Sequence, residues 1–395
     1  MVAGSCTVIA AITLARRGGY SYINLDSLLN DPGFSTLLLL PLSVAFACVM
    51  AAMLPIVVTV NVAILISLVG LLEAGARLLA PEHPLIHGEP EAIGTSTFYV
   101  PDNYLGHVMA PSVRARHRRW VDNRQIYDVL YGTDAWGRRE TPTSAGSKRT
   151  SFILLFGDSN MFGEGLSQTE TLPYFAGEAA RTYRPYNYGV SGYGPSHFLA
   201  LSRRGRVRQE ISERDGYAVF YLIPAHVGRV IGSSNVSTGW GRHFPYFVAN
   251  GHGEPVTDGN FVHARPFTTL AYYLWTKSNL ANYFRATLPL WYTKSDYQLT
   301  AKVLKESSHL LGQQLQLRGF TVVLGQVYDN EQRRVARALS EALRSEGVPY
   351  LDYTELFDTR DMKYRLAKDD YHNSALANNV IANRLVADLL GAGAR

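Results

Sequence analysis

Ser151-Phe-Ile-Leu-Leu-Phe-Gly157-Asp158-Ser159-Asn160 is the stretch of sequence that decides the fold. Its continuous apolar run ends at Gly157, which is typical of a strand buried on both faces of a parallel sheet. Four further candidates for buried strands follow in the chain, at 186–190, 217–223, 320–324 and 348–351. Amphipathic helices are predicted between most of them, including 297–317 and 331–345. This alternation predicts an α/β three-layer sandwich with a mostly parallel five-stranded sheet.

The alternation breaks once, at about 235–295, between the third and fourth predicted strands. There Asn250-Gly251 lies between two short apolar runs, a pattern that predicts a β-hairpin. An aromatic-rich helix is predicted after it, over 268–284. We expect this insertion to lie near the carboxyl ends of the strands, where open α/β sheets bind ligands, and to shape access to the site.

The N-terminal part has the composition of a membrane segment, because residues 32–72 include no Asp, Glu, Lys, Arg or His. One crossing takes about 20 apolar residues, and this run is roughly twice as long. We therefore predict two transmembrane helices, at about 34–54 and 56–76, within a membrane segment over 1–80. A linker over 81–96 and a catalytic domain over 97–395 follow. A buried pair of core helices and a signal peptide are the alternatives.

The side of the membrane on which residues 97–395 lie stays open. A two-helix hairpin would put both its ends on the side favoured by Arg16 and Arg17, which is the cytoplasm. An additional span within the apolar residues 2–15 would reverse this orientation.

Charge and cysteine usage exclude several classes of protein. The net charge is +5 with 18% charged residues, and no basic stripe interleaved with aromatic residues is present, so nucleic acid is not an expected partner. Cys6 and Cys48 are the only cysteines, so no disulfide framework is predicted. The eleven histidines show no close pairing with carboxylates or cysteines, and we predict neither a metal nor a cofactor.

Ser159 stands directly after a buried strand, so it should be exposed at the rim of the sheet in a turn whose amides can face an oxyanion. A serine nucleophile also needs a base and a group that orients the base. The segment Asp369-Asp370-Tyr371-His372 supplies both, on a predicted loop before the last helix. We predict His372 as the base and Asp369, three residues ahead of it, as the carboxylate that turns back on the imidazole.

Three blocks of residues, in this order, make the chain resemble the SGNH or GDSL hydrolases over roughly residues 150–390. They are Gly157-Asp158-Ser159, Asn187-Tyr-Gly-Val-Ser-Gly192-Tyr-Gly194 and Asp369-Asp-Tyr-His372. The resemblance implies a flavodoxin-like sheet, the catalytic triad Ser159, His372 and Asp369, and an oxyanion hole formed by the N–H groups of Ser159 and Gly192. Asp370 is the competing carboxylate, although the spacing in the family favours Asp369. The resemblance also favours a periplasmic or extracytoplasmic location.

The chain departs from the family pattern at two places. Asn160 stands where the family most often has leucine. More seriously, the third strand runs into Leu222-Ile-Pro-Ala-His226, without the asparagine that the family contributes to its oxyanion hole. The ring of His226 is one candidate replacement, and a hole of two backbone donors is the other.

Three functions fit these residues. The first is a serine esterase that cleaves acyl or acetyl esters through an acyl-enzyme. The second is O-acyl transfer to or from a cell-envelope glycan by the same triad. The third is a binding domain that has lost catalysis. The expected partners are an ester-bearing small molecule, lipid or glycan, together with a membrane.

Overall fold

The computed structural model describes residues 44–45, 48–49, 56–80, 85–94, 97–144 and 148–391. The chain divides into two units, Met1–Ala80 and Pro81–Arg395. We describe each unit by itself.

In the described part of the first unit there is one long apolar helix, α1 (Ile56–Leu79). Its portion Val58–Leu79 has a mean hydropathy of 2.0 and is long and apolar enough to cross a membrane. This helix coincides with the second predicted span. The first predicted span, 34–54, lies outside the described residues except for four helical positions, 44, 45, 48 and 49.

The second unit combines strands and helices, separated by turns. Its strands are β1 (Ile86–His87), β2 (Glu91–Ala92), β3 (Tyr99–Asp102), β4 (Gly106–Met109), β5 (Arg114–Val121), β6 (Arg124–Gly132), β7 (Ser151–Gly157), β8 (Tyr183–Gly189), β9 (Asp215–Leu222), β10 (Pro245–Ala249), β11 (Pro255–Asn260), β12 (Gln316–Leu324), β13 (Tyr350–Asp352), β14 (Arg365–Ala367) and β15 (Asp370–Asn373). Its helices are α2 (Ser159–Phe162), α3 (Leu172–Ala179), α4 (Pro195–Arg204), α5 (Val207–Glu210), α6 (His226–Ile231), α7 (Ser234–Ser237), α8 (Phe261–Ala264), α9 (Pro266–Thr276), α10 (Asn279–Tyr283), α11 (Lys294–Gln314), α12 (Asn330–Ser345) and α13 (Ala375–Gly391).

The central sheet has the order β13-β12-β9-β7-β8, and every pair of neighbours in it is parallel. Numbered along the chain, this order is 2-1-3-4-5, which is the flavodoxin-like arrangement. All five predicted strands are present in it, so the predicted fold class is confirmed.

Alternate side chains of β7 enter two separate cores, because successive residues of a strand point to opposite faces of the sheet. Phe152, Leu154 and Phe156 pack into a core with residues of α4, α11 and α12. Ile153 and Leu155 pack into a second core with residues of α3 and α13. Helices therefore cover both faces, and this explains why the apolar run of β7 is continuous rather than alternating.

The segment predicted as a linker is instead partly strand. Ile86 in β1 pairs with Val121, and Glu91 in β2 pairs with Arg116, so both strands extend the antiparallel ribbon of β5 and β6. A strand of two residues is too short to show an alternation of apolar and polar residues, so the sequence pattern indicated only a linker.

The insertion has the predicted hairpin, since β10 and β11 pair in antiparallel fashion around the turn at residues 250–254. The predicted helix over 268–284 is two helices, α9 and α10. They separate at Ser278, whose hydroxyl accepts the Ala281 N–H at 3.0 Å and thereby caps a new helix.

Candidate active site

Ser159 lies where the central strand β7 gives way to α2. Asp158 caps this helix, and its carboxylate accepts the Asn160 N–H at 3.0 Å. The serine is 8% exposed, because the turn buries its backbone. Strand, cap and short helix together hold Ser159 at the carboxyl edge of the sheet, where it is buried rather than exposed as we expected.

His372 connects Ser159 to a carboxylate. Its Nε2 lies 2.8 Å from Ser159 Oγ, and its Nδ1 lies 2.5 Å from Asp370 Oδ1. The same carboxylate oxygen accepts the His372 N–H at 3.0 Å. In the neutral imidazole the proton is on Nδ1, where the carboxylate accepts it, so Nε2 is then the acceptor that faces the serine hydroxyl.

Asp370, and not the predicted Asp369, is the carboxylate that contacts His372. Asp369 is instead paired with Arg124, and its side chain is 39% exposed. We expected a loop that would let Asp369 turn back, but the segment forms the hairpin strand β15. Residues i and i+2 of a strand share a face, so Asp370 lies beside His372 while Asp369 points elsewhere.

The charges around His372 favour its protonated form. Burial disfavours the imidazolium, but the hydrogen bond to Asp370 and the nearby Glu164 and Asp158 carboxylates raise the pKa of His372 to about 9. Burial alone would raise the pKa of Asp370, whereas the contact with His372 and the charge of Arg119 hold it below its usual value. Asp370 is therefore ionised throughout the neutral range.

Glu164 belongs to the turn that follows α2, where its N–H donates to the Ser159 carbonyl at 2.9 Å. Its carboxylate accepts the Ser191 hydroxyl at 2.7 Å. This bond links the glycine-rich second block of the sequence to the serine turn. The sequence pattern contained no signal for Glu164.

Asp158 is a fully buried carboxylate with two basic neighbours. Arg229 Nη1 donates to its Oδ2 at 3.0 Å, and His226 Nε2 lies 3.3 Å from the same oxygen. Burial would raise the pKa of Asp158, but these two neighbours hold it well below its usual range. The serine turn is thus fixed by a buried ion pair.

His226 does not occupy the place that we predicted for it. Its ring is fully buried against Asp158, Nδ1 accepts the Ile223 N–H at 3.3 Å, and the residue is not part of the cavity wall beside Ser159. Burial and the neighbouring charge of Arg229 lower the pKa of His226, so the buried ring is neutral. The prediction that His226 donates to an oxyanion is therefore wrong, because the ring folds inward at the start of α6.

Arg229, one turn further along α6, is a wall residue of that cavity. Its Nη1 also donates to the Tyr193 carbonyl at 2.5 Å, and its guanidinium lies 5.5 Å from the centre of the Trp240 ring. Within the part of the chain that the structure describes, Nε and Nη2 of Arg229 have no hydrogen-bond partner. Sequence reasoning missed Arg229, whose only signal was its position three residues after His226.

Gly192 has φ +88°, a left-handed backbone conformation that favours glycine. An added Cβ would lie 2.8 Å from the Trp240 ring. The turn therefore requires glycine, and the role of the Gly192 N–H in an oxyanion hole stays a prediction.

The cavity beside Ser159 has a volume of about 800 Å³. It is larger than an acetyl group needs, and polar and aromatic side chains dominate its wall. Beyond the triad these include Arg119, Arg229, Tyr292, Gln326, Tyr328, Glu331, Gln332, Arg365 and Tyr371.

No protein-family model and no curated protein matches the sequence. Solved structures that resemble the chain include a lipolytic protein of the G-D-S-L family from Veillonella parvula, 11% identical, with 60% of this chain and 97% of that one covered at a TM-score of 0.32. An aryl esterase of M. smegmatis is 13% identical, with 61% and 99% covered at a TM-score of 0.35. A carbohydrate esterase is 12% identical, with 78% and 98% covered at a TM-score of 0.35.

These neighbours are hydrolases of the GDSL type and esterases. Their identities and TM-scores are too low to carry an argument about function. The functional assignment rests on the side chains around Ser159.

Proposed function

We propose that this chain is a serine esterase with Ser159 as nucleophile, His372 as general base and Asp370 as the orienting carboxylate. The observation that supports it is the unbroken chain of contacts from Ser159 Oγ through the imidazole to the Asp370 carboxylate, 2.8 Å and 2.5 Å long, at the wall of a large cavity. A serine nucleophile, a base and an orienting carboxylate within hydrogen-bond distance of one another have the geometry that acyl transfer to serine needs.

In the proposed acylation, Ser159 Oγ attacks the ester carbonyl carbon and its proton passes to His372 Nε2. The tetrahedral intermediate collapses as the carbon–oxygen bond to the alcohol breaks, and His372 returns the proton to the leaving oxygen. Water then attacks the acyl-enzyme and gives its proton to Nε2. The bond between the acyl carbon and Ser159 Oγ then breaks, His372 returns the proton to Oγ, and the acid is released.

The oxyanion needs donors that act in the transition state. The proposed donors are the N–H groups of Ser159 and Gly192. Arg229 contributes a positive charge from the cavity wall, in place of the asparagine that the segment after β9 lacks. Asp158 accepts a hydrogen bond from Nη1 only, so Nε and Nη2 of the guanidinium are able to donate to the substrate.

Replacement of the nucleophile tests the proposal. We expect Ser159→Ala in the full chain to lower turnover of a small aryl acetate by at least about 10³-fold, because no acyl-enzyme can form. Ser340→Ala is the matched control, since this serine lies on α12 away from the triad, and should keep its activity. Circular dichroism should show both variants folded. Wild-type turnover in Ser159→Ala contradicts the proposal.

A second candidate is O-acyl transfer to a hydroxyl of a glycan. The size of the cavity favours it, because about 800 Å³ leaves room for an acceptor beside the acyl group. The same triad would serve, with a sugar hydroxyl in place of water. If soluble oligosaccharides accelerate release of the aryl alcohol and carry the acyl group afterwards, transfer is the function. Acetate release that is independent of acceptors indicates hydrolysis.

We further propose that α1 anchors the chain in a membrane. Its length and composition support this role. Protease accessibility of residues 81–395 in intact and permeabilised cells assigns the side on which the cavity lies. Release of the protein by carbonate washing of the membranes contradicts the anchor.

A further inference from the structure

The insertion exposes apolar side chains in an ordered row. Helix α9 has no buried residue, and Phe267, Leu270 and Leu274 are exposed on it, with Phe267 86% exposed. Their spacing of three and four residues places them on one face of the helix. A water-facing helix of a soluble domain would carry polar residues on this face.

A neighbouring segment adds three more exposed apolar residues: Phe284, Leu290 and Trp291, of which Trp291 is 73% exposed. Trp275 of α9 donates from Nε1 to the Ala286 carbonyl at 2.8 Å, which ties the two segments together. We call Phe267, Leu270, Leu274, Phe284, Leu290 and Trp291 the insertion face. These six residues lie within 25 positions of the chain, which is a denser group of exposed apolar side chains than the scattered single ones of an ordinary surface.

Basic residues outnumber acidic ones in the insertion, whose acidic residues are Glu254 and Asp258 of the hairpin segment. Residues 259–295 contain no Asp or Glu, but they contain Arg265, Lys277, Arg285 and Lys294. Three of these, Lys277, Arg285 and Lys294, are exposed. Exposed aromatic and aliphatic residues flanked by cations are the composition of surfaces that lie in the interface of an anionic bilayer.

We propose that the insertion face docks on the surface of a bilayer that contains anionic lipids. Its apolar side chains enter the boundary between headgroups and acyl chains, while the lysine and arginine side chains reach the phosphates. The inference rests on the proposed role of α1 as an anchor, which would bring a bilayer to the same chain. This inference does not depend on the chemistry of Ser159.

Tryptophan fluorescence tests the docking in the full chain. The five tryptophans are Trp120, Trp136, Trp240, Trp275 and Trp291, so none precedes residue 120 and α1 contributes no signal. The chain is reconstituted in nanodiscs of phosphatidylcholine, with or without phosphatidylglycerol, and with plain or brominated acyl chains. We expect bromine to quench the fluorescence, and more strongly with phosphatidylglycerol.

Trp291→Phe tests whether the quenching arises at the insertion face, and we expect this variant to lose a large part of the quenching. Trp136→Phe is the matched control, because Trp136 is also exposed but lies outside the insertion. It should keep the quenching difference. Equal quenching in Trp291→Phe and wild type, or no quenching at all, overturns the proposal.

The triple variant Lys277→Glu, Arg285→Glu and Lys294→Glu changes only exposed positions, so the fold should remain intact. We expect it to lose the dependence on phosphatidylglycerol and to keep aryl acetate turnover. If a second copy of the chain or a part of residues 1–55 covers the face instead, bromine leaves Trp291 unquenched in every lipid. That result also overturns the proposal.

Discussion

The proposed chemistry depends on three side chains, Ser159, His372 and Asp370, whose contacts form one continuous series. The places of Ser159 and His372 could be predicted from the sequence, since one follows a buried strand and the other precedes the terminal helix. The choice between Asp369 and Asp370 could not, since it depends on whether the segment is a loop or a strand. The pairing of β14 with β15 decides it by directing alternate side chains to opposite faces. The position of the His226 ring could not be predicted either, because packing at the start of α6 turns the ring inward.

The two carboxylates can be separated by matched substitutions. We expect Asp370→Asn to lower kcat by about 10²- to 10⁴-fold, because an amide no longer holds the tautomer with Nε2 free to accept. Asp369→Asn removes the same charge from the neighbouring position and should change kcat less than about threefold. Kinetics with an aryl acetate measure both. A larger loss in Asp369→Asn than in Asp370→Asn contradicts the assignment.

The raised pKa of His372 predicts an alkaline rate profile. The imidazole acts as a base only when neutral, so kcat/KM should rise about tenfold per pH unit below the pKa and level off above about pH 9. Removal of the Glu164 charge should move this midpoint to lower pH. Profiles of wild type, Glu164→Gln and the control Glu331→Gln test this. An unchanged midpoint in Glu164→Gln counts against the electrostatic account.

Arg229 should act mainly on the transition state if it helps to stabilise the oxyanion. We expect Arg229→Gln to lower kcat by about 10²-fold with a small change in KM. Since the variant also leaves the buried Asp158 without its ion-pair partner, stability should fall by about 3 kcal/mol. Arg365→Gln, at another arginine of the cavity wall, is the control. A change confined to KM in Arg229→Gln indicates binding of the ground state instead.

At the scale of elements, short runs rich in apolar residues predicted all five strands of the central sheet, because a strand covered on both faces buries most of its side chains. Strands β1 and β2 escaped prediction, as they are too short to show a period. The break between α9 and α10 was also missed, because its cause is a capping hydroxyl at Ser278 within a helical pattern. The sequence pattern thus predicts the long helices and strands, whereas the break between α9 and α10 depends on a single hydrogen bond at Ser278.

The turn after β8 gives a prediction at this scale. Gly192→Ala should destabilise the protein by the strain of a positive φ, about 1 kcal/mol, and by a further cost of about 1 to 3 kcal/mol from the clash with Trp240. Gly205→Ala is the control, because Gly205 also has a positive φ but open space around its Cα. Urea unfolding compares them. Equal losses would show that the Trp240 contact is unimportant.

For the whole molecule, the sheet order explains how a site forms from distant segments. Ser159 and His372 are 213 residues apart in sequence, yet they meet at the carboxyl edge of the parallel strands. The α/β class and this meeting point followed from the sequence, because parallel strands direct all their following turns to one edge. The substrate could not be predicted from the sequence, because the cavity wall also includes residues of the β5–β6 ribbon, which belong to no motif.

Covalent trapping of the nucleophile tests the central claim most directly. The full chain is treated with a fluorophosphonate and digested, and the labelled peptide is identified by mass spectrometry. We predict one modified residue, Ser159, labelled faster as the pH rises toward 9 and much more slowly in Asp370→Asn. Labelling at another serine, or none under conditions in which the protein is folded, contradicts the triad of Ser159, His372 and Asp370.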